Sequence, residues 1–304
     1  MIPLQKRSAF GGKTAMGYDI EKKIREKPLL RHSFHLLAQQ TFGLSFERWY
    51  RQGYWSDRYQ PYCMVHNNEV VANVSINQMD FLWEGRPCHY VQLGTVMTRP
   101  DHRGKGLSRR LMEEVLDDCC ASCHCVYLYA NPTVVNFYPR FGFQREKEFG
   151  YNFSISGGMG IGRKLKMDSW EDRMLLKRYF SYSNPFSRMA MLQNWGLLMF
   201  YCSDFLKDAV YFLEERKLIA VMQQEGETLR CMDLFGPEGG ALLPVLRQLA
   251  APEVKQVVLG FSPKEIEERK LIPLSQEEDI LFCLGGTENP WHSSRLMLPA
   301  LSHA

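Results

Sequence analysis

The stretch Arg99-Pro-Asp-His-Arg-Gly-Lys-Gly-Leu-Ser-Arg-Arg-Leu-Met112 decides how this chain is read. Before it, Tyr90 to Thr98 is β-branched, aromatic and apolar enough for a buried strand, and Pro100 ends that strand. After it, Leu107, Leu111, Met112, Val115, Leu116 and Cys119 recur at helical spacing, with Arg109, Arg110, Glu113, Glu114, Asp117 and Asp118 on the other side. The glycine-bearing loop therefore stands at a helix N-terminus. Unpaired backbone N–H groups and the positive end of the helix dipole favour an anion there. Gly104 and Gly106 let phosphate oxygens approach the main chain, and Arg103 and Lys105 add charge. The stretch reads as a pyrophosphate cradle.

Two other phosphate loops fit less well. Gly11-Gly12-Lys13-Thr14 ends like a nucleoside-triphosphate loop, but Arg7 stands where that motif needs its first glycine, and no apolar strand precedes it. A dinucleotide fingerprint would need a third glycine where Arg109 stands.

Arg103-Gly104-Lys105-Gly106-Leu107-Ser108 resembles the Arg/Gln-x-x-Gly-x-Gly/Ala motif of the GNAT superfamily of acetyl-CoA-dependent N-acetyltransferases. Ser108 stands where the family usually has Gly or Ala, but serine is small and keeps its N–H. A second match follows in the right order, Val126-Tyr-Leu-Tyr-Ala-Asn-Pro132 and then Asn136-Phe-Tyr-Pro-Arg-Phe-Gly-Phe143. It resembles the family's next strand, its Asn and its Phe-Tyr-x-x-x-Gly-Phe turn. The likeness covers about residues 60 to 155.

The resemblance implies a set of roles. Backbone N–H groups of Val96, Met97 and Thr98 would pair with the pantetheine arm and the acetyl oxygen. The amides from Arg103 through Gly104, Lys105, Gly106, Leu107 and Ser108 to Arg109 would hold the pyrophosphate. Asn131 would bond the pantetheine, and Tyr138 would be the general acid beside the cofactor sulfur. A phenol with a pKa of about 10 is protonated at neutral pH and can supply that proton. Acetyl-CoA is the implied co-substrate, with a small-molecule or protein amine as acceptor. For the general base, Asp80, Glu84 and His89 border the acceptor side without one being singled out.

Composition sets the frame. The chain has 304 residues, 45% hydrophobic and 23% charged, which suits two ordinary globular domains. The net charge of +3 argues against a nucleic-acid binder, and its distribution is uneven. Residues 1–166 hold 23 Lys and Arg against 15 Asp and Glu, whereas residues 167–304 hold 14 against 19, so the phosphate loop lies in the basic half. The apolar runs are too short for a secretory leader or a membrane span, so a cytoplasmic location and no membrane partner are expected. Nine cysteines read as thiols. Cys119, Cys120, Cys123 and Cys125 lack the spacing of a zinc knuckle; the first two are expected on the buried helix face, with no metal.

Along the chain, a first strand is expected near Met16 to Ile20 and a helix over Leu29 to Phe42. An aromatic-rich connection runs from Phe42 to Tyr62, and in GNAT-like folds this region walls the acceptor pocket. A hairpin turns at Asn67-Asn68-Glu69, and Phe81 to Arg86 is the next turn. Tyr151 to Ser156 reads as the last strand of the first domain, and the glycine run 157–162 with Arg163 to Lys166 as a flexible linker. The second half repeats the order: helix Glu171 to Phe180, hairpin 209–223, strand Leu229 to Phe235, helix Gly240 to Leu249, strand Val254 to Phe261 and strand Ile280 to Leu284. Its loop, Phe235-Gly-Pro-Glu-Gly-Gly240, has no Arg and sets Glu238 where phosphate would lie.

The expected fold is thus α+β (α/β), two GNAT-like domains, each a mostly antiparallel mixed sheet flanked by helices. Residues 1–158 would carry the acetyl-CoA site, and residues 167–304 a degenerate copy without cofactor. The second domain is open to use as a dimer surface, a lid or an acceptor platform, with a homodimer among the expected assemblies. Two other functions compete: a non-catalytic acyl-CoA sensor, and a transferase of longer acyl or aminoacyl groups.

Overall fold

A computed structural model describes residues 17–160, 162–265, 271–275, 279–285 and 289–304, apart from the side chains of 292 and 293. Gly11 to Thr14 and Met16 lie outside these residues. The strands, in chain order, are β1 (Asp19–Glu21), β2 (Tyr59–His66), β3 (Glu69–Trp83), β4 (Arg86–Thr98), β5 (Cys125–Ala130), β6 (Gln144–Arg145), β7 (Phe149–Ser154) and β8 (Arg163–Lys164). They continue with β9 (Met189–Leu192), β10 (Val210–Leu213), β11 (Leu218–Glu225), β12 (Thr228–Phe235), β13 (Gln256–Leu259), β14 (Leu271–Pro273) and β15 (Ile280–Gly285). The helices used below are α1 (Pro28–Phe42), α2 (Glu47–Arg51), α3 (Leu107–Cys119), α4 (Trp170–Phe180), α5 (Trp195–Phe200) and α6 (Leu242–Leu249).

Local chemistry explains most of these elements. Pro28 opens α1, and Gly43, at φ 69°, closes it in the left-handed conformation that glycine adopts freely. Asn67 and Asn68 both take positive φ, 50° and 63°, as a tight two-residue hairpin between β2 and β3 requires. The next turn is shorter than expected: β3 runs through Trp83 and reverses at Glu84-Gly85. Ser169 caps α4 by accepting from the Asp172 N–H.

Among the described residues the strands form two mixed sheets. The first runs β1-β2-β3-β4-β5-β15-β6, with β9 also pairing β3; the second runs β14-β7-β13-β12-β11-β10-β8. Each is antiparallel except at its centre, where β4 pairs β5 and β12 pairs β13 in parallel. The two mixed sheets flanked by helices are those expected from the sequence.

The order of strands corrects two expectations. Residues 149–154 do not end the first sheet; β7 pairs antiparallel with β13 and β14 in the second. Conversely, β15 does not close the second sheet but lies between β5 and β6 in the first, with Phe282 opposite both Leu128 and Arg145. The sheets have exchanged equivalent strands within one chain, so strand pairing crosses the expected boundary between 158 and 167. Ile280, Leu281, Phe282 and Cys283 of β15 are all buried, alternating between the two faces of the host sheet. A large apolar side chain so buried is worth about 1.5–3 kcal/mol as an upper estimate, which holds the guest strand in place.

The glycine run is not a free linker. Gly158 and Gly160 each donate a backbone hydrogen bond to the Ala250 carbonyl, and a Cβ on Gly158 would fall 1.8 Å from the Arg247 carbonyl oxygen. Glycine is needed there because two backbones touch. Past it, Arg163–Lys164 pairs with β10.

Four apolar clusters fill the molecule. One lies between the first sheet and α3, one beneath α1 and α2, one between the sheets with α4 and α5, and one between the second sheet and α6. No described helix is long and apolar enough to cross a membrane.

Candidate active site

Pairing between β4 and β5 stops at Leu93 and Leu128. Beyond these residues the strands part, leaving the β5-facing edge of β4 from Gly94 to Thr98 without a strand partner. A bulge sets this edge: two residues of β4, Thr95 and Val96, oppose one of β3 between the pairs Asn73–Met97 and Ser75–Gly94. Thr95 takes a positive φ of 49°, costly for a β-branched residue. A buried polar network holds it. The Thr95 carbonyl accepts from the Asn73 amide at 2.9 Å, and its hydroxyl lies 2.7 Å from that of Tyr59, to which Ser75 donates at 2.9 Å. Asn73 and Ser75 are fully buried. Sequence reasoning missed this set; the clue was three polar side chains, Asn73, Ser75 and Asn77, alternating with apolar ones between Ala72 and Asn77.

The splayed edge leads to the glycine loop. Gly104 and Gly106 have φ of 76° and 75°, and a Cβ on either would meet no atom within 4 Å, so the space over them is open. Gly106 is the N-cap of α3, which places Leu107, Ser108 and Arg109 in its first turn. The Ser108 hydroxyl lies 2.6 Å from that of Thr98, tying the helix start to the strand end. This contact gives Ser108 a purpose that Gly or Ala could not serve. Arg103 is exposed and donates to the Thr98 carbonyl at 3.2 Å; Lys105 reaches the Tyr18 hydroxyl at 3.3 Å. Both cations stay at the surface beside the loop.

Across the cleft, Asn131 caps the turn Pro132–Val134, its side-chain oxygen accepting from the Thr133 N–H at 3.0 Å. Tyr138 opens the short helix Tyr138–Phe141 and is 4% exposed. Its ring packs against Phe137, Phe143 and Phe282, so the exchanged strand β15 forms part of its wall. Burial pushes the Tyr138 phenol up to about 12, which keeps its proton in place at neutral pH.

The structure does not bring the three candidate bases to this cleft. Asp80 and His89 pair with each other at 2.7 Å toward the far end of β3 and β4, and Arg58 holds the other Asp80 oxygen at 2.7 Å. The His89 and Arg58 hydrogen bonds outweigh burial and leave the Asp80 carboxyl below its usual range. Glu84 sits in the β3–β4 turn, bonded to Arg188 at 2.6 Å. The cysteines also differ in part from expectation: Cys119 is buried, but Cys120 follows the helix end and is exposed. Among the described residues no group of three or more His, Cys, Asp or Glu could hold a metal ion.

The second sheet parts in the same way, after Cys231 and Leu259. Here the chain itself fills the gap. Ser183 accepts from the Gly236 N–H, Asn184 donates to Asp233 at 2.6 Å, Phe186 accepts from Lys264 N–H, and Arg188 N–H donates to Ser262. Residues 183–188 thus bond to both parted edges.

A family model for the GNAT acetyltransferase domain matches residues 27–145, which spans α1, the splayed strands, the glycine loop and Tyr138. Residues 27–145 are thus similar to a GNAT acetyltransferase domain. No curated protein sequence matches the chain. Among solved structures, a probable N-acyltransferase from Enterococcus faecalis is 14% identical with a TM-score of 0.58, over 87% of this chain and 72% of that one. A GCN5-related N-acetyltransferase from Kribbella flavida is 18% identical at 0.55, over 89% and 72%, and Eis1 from Mycobacterium abscessus 15% identical at 0.55, over 87% and 72%. At such identities the likeness is one of fold, and its coverage takes in both sheets of this chain.

Proposed function

We propose that this protein transfers an acetyl group from acetyl-CoA to a primary amine of a small molecule or protein, by direct attack within a ternary complex. The observation that carries the reading is the alignment of an open glycine loop at the N-terminus of α3 with the unpartnered edge of β4. A pyrophosphate on the amides from Arg103 to Arg109 would lead its pantetheine arm along Val96, Met97 and Thr98 into the parting of the strands. Oriented N–H donors at the acetyl oxygen are typically worth about 3 kcal/mol in the transition state. Asn131 would bond the arm through its free amide N–H, since its oxygen is engaged. Tyr138 would protonate the departing thiolate.

Residues 1–158 and 167–304 are then an active and a degenerate GNAT unit that have traded a strand. The segment 183–188 stands where a second pantetheine would run, which supports a single cofactor per chain. Calorimetric titration with acetyl-CoA, followed by thiol release over a panel of amines, tests the reading. One site and amine-dependent thiol are expected. Binding without turnover would favour the sensor, and preference for a longer acyl-CoA would favour the other transferase.

A further inference from the structure

We propose that His303 is the base that takes the proton from the acceptor amine, an assignment that rests on the acetyl-transfer reading above. The residues just past the last β4–β5 pair are Gly94 on one strand and Tyr129 on the other. The segment Ser302–Ala304 covers both. A Cβ on Gly94 would stand 2.7 Å from the Ala304 carbonyl oxygen, and the His303 ring lies 4.1 Å from the Tyr129 ring. His303 therefore stands at the apex of the cleft. It lies on the face of the sheet that carries Tyr127 and Tyr129, opposite the face that packs on α3. A thioester arm that follows β4 from the loop at the start of α3 passes from Thr98 to Gly94, about 13 Å at ~3.3 Å per residue, and ends at this apex. The amine must come from the face that the cofactor leaves free, where His303 is.

The main chain around His303 is fixed while its ring is not committed. Tyr127 donates to the Ser302 carbonyl at 3.3 Å, Tyr201 donates to the His303 carbonyl, and the Gln92 carboxamide bonds both the N–H and the carbonyl of Ala304, at 3.0 and 3.1 Å. Neither ring nitrogen of His303 hydrogen-bonds to a described residue, so a lone pair is available. Burial lowers the His303 pKa, which leaves the imidazole neutral and able to accept, while Asp279 nearby favours the imidazolium once formed. The ionisable groups around it are Tyr129 from β5, Asp279 before β15, Tyr201 after α5, and Glu148, to which Tyr129 donates at 3.2 Å. In the step itself the amine lone pair forms the C–N bond as the C–S bond breaks. The nitrogen's proton passes to His303, the sulfur takes the Tyr138 proton, and solvent returns a proton from imidazolium to phenolate.

The test uses the full chain and His303→Gln, with acetyl-CoA and the best amine of the panel. General-base removal typically costs 10²–10⁴-fold. The variant should lose at least about a hundredfold in kcat, hold acetyl-CoA as wild type does, and lack the acid limb of the kcat/KM profile. Unchanged kcat overturns the assignment, as does an acid limb that persists in His303→Gln and vanishes in Glu148→Gln. A second measurement needs no acceptor: the His303 ring proton resonance, assigned by its absence in the variant, should shift on saturation with acetyl-CoA. If acetyl-CoA binds and that resonance stays in place, His303 is not at the thioester and the proposal falls. If no amine turns over while the resonance shifts, the acetyl-transfer reading fails and the placement of His303 stands.

Discussion

Gly94 and Ala304, 210 positions apart in sequence, meet at the point where β4 and β5 part, with the Ala304 carbonyl oxygen 2.7 Å from where a Gly94 Cβ would be. Nothing larger than hydrogen fits between them unless the 302–304 segment moves. Ala304 is exposed and anchored there by Gln92, so the segment is the part that yields. Gly94→Ala should displace it and strain its hydrogen bonds to Gln92, with a loss of folding stability of about 1–3 kcal/mol, as for an overpacked site. Turnover should fall about tenfold. Thermal melts beside steady-state rates check both, and unaltered turnover would separate this segment from the chemistry.

Tyr138→Phe keeps the ring against Phe143 and Phe282 and removes only the hydroxyl. The phenol pushed up to about 12 is a proton donor across the working range. A loss of about 10²–10⁴-fold in turnover with acetyl-CoA affinity within a factor of three is expected. Calorimetry and thiol release on the same preparation decide it; undiminished turnover would leave Tyr138 as a packing residue.

The loop glycines are required by backbone angle, since space over them is open. A non-glycine residue in the left-handed region costs roughly 1–2 kcal/mol, and Asn tolerates it best. Acetyl-CoA affinity should therefore fall in the order Gly106, Gly106→Asn, Gly106→Ala, with the last about tenfold weaker by calorimetric titration. Equal affinity across the series would mean that this turn does not hold the phosphates.

Two buried carboxyls make stability fall as pH rises. Burial pushes Glu148 up to about 7 from 4.5, and Asp233 up to about 7 from 3.8. The folded chain keeps these protons where the unfolded chain has released them, so their contribution is complete below about pH 4 and is lost on the way to pH 7. His35 and His303, lowered by burial, act in the opposite sense below pH 6.5. The comparison of Glu148→Gln with wild type isolates one term. The variant should gain relative stability, by a few kcal/mol in all, between pH 4.5 and 7.5 in denaturant titrations. A pH-independent difference would place the Glu148 pKa near its ordinary value.

The loop from Arg103 to Ser108, its helix and the strand before it were legible in the sequence because each is written in local code: glycine angles, helical periodicity and a proline stop. The same holds for the hairpin at Asn67-Asn68 and for α4 with its Ser169 cap. The order of elements also pointed to mixed sheets flanked by helices, which the structure has. None of this could disclose which sheet β7 and β15 join. A strand's alternation tells which side chains are buried and is indifferent to which edge receives it, so Phe149–Ser154 and Ile280–Gly285 read the same in either place. The candidate bases Asp80, Glu84 and His89 failed for a related cause. Their nearness to the acceptor was inferred from position along β3 and β4, whereas the cleft opens at the other end of those strands.

The sequence by itself determined the glycine loop at the start of α3, the strand and helix that flank it, and the turn at Tyr138 that follows, because short-range sterics and hydrogen bonding settle each within a few residues. Only the tertiary structure decided the strand exchange, the filling of the second cleft by residues 183–188, and the arrival of His303 at the apex of the first. These depend on burial and backbone pairing between segments far apart in the chain, where the free energy comes from partners that no local window contains.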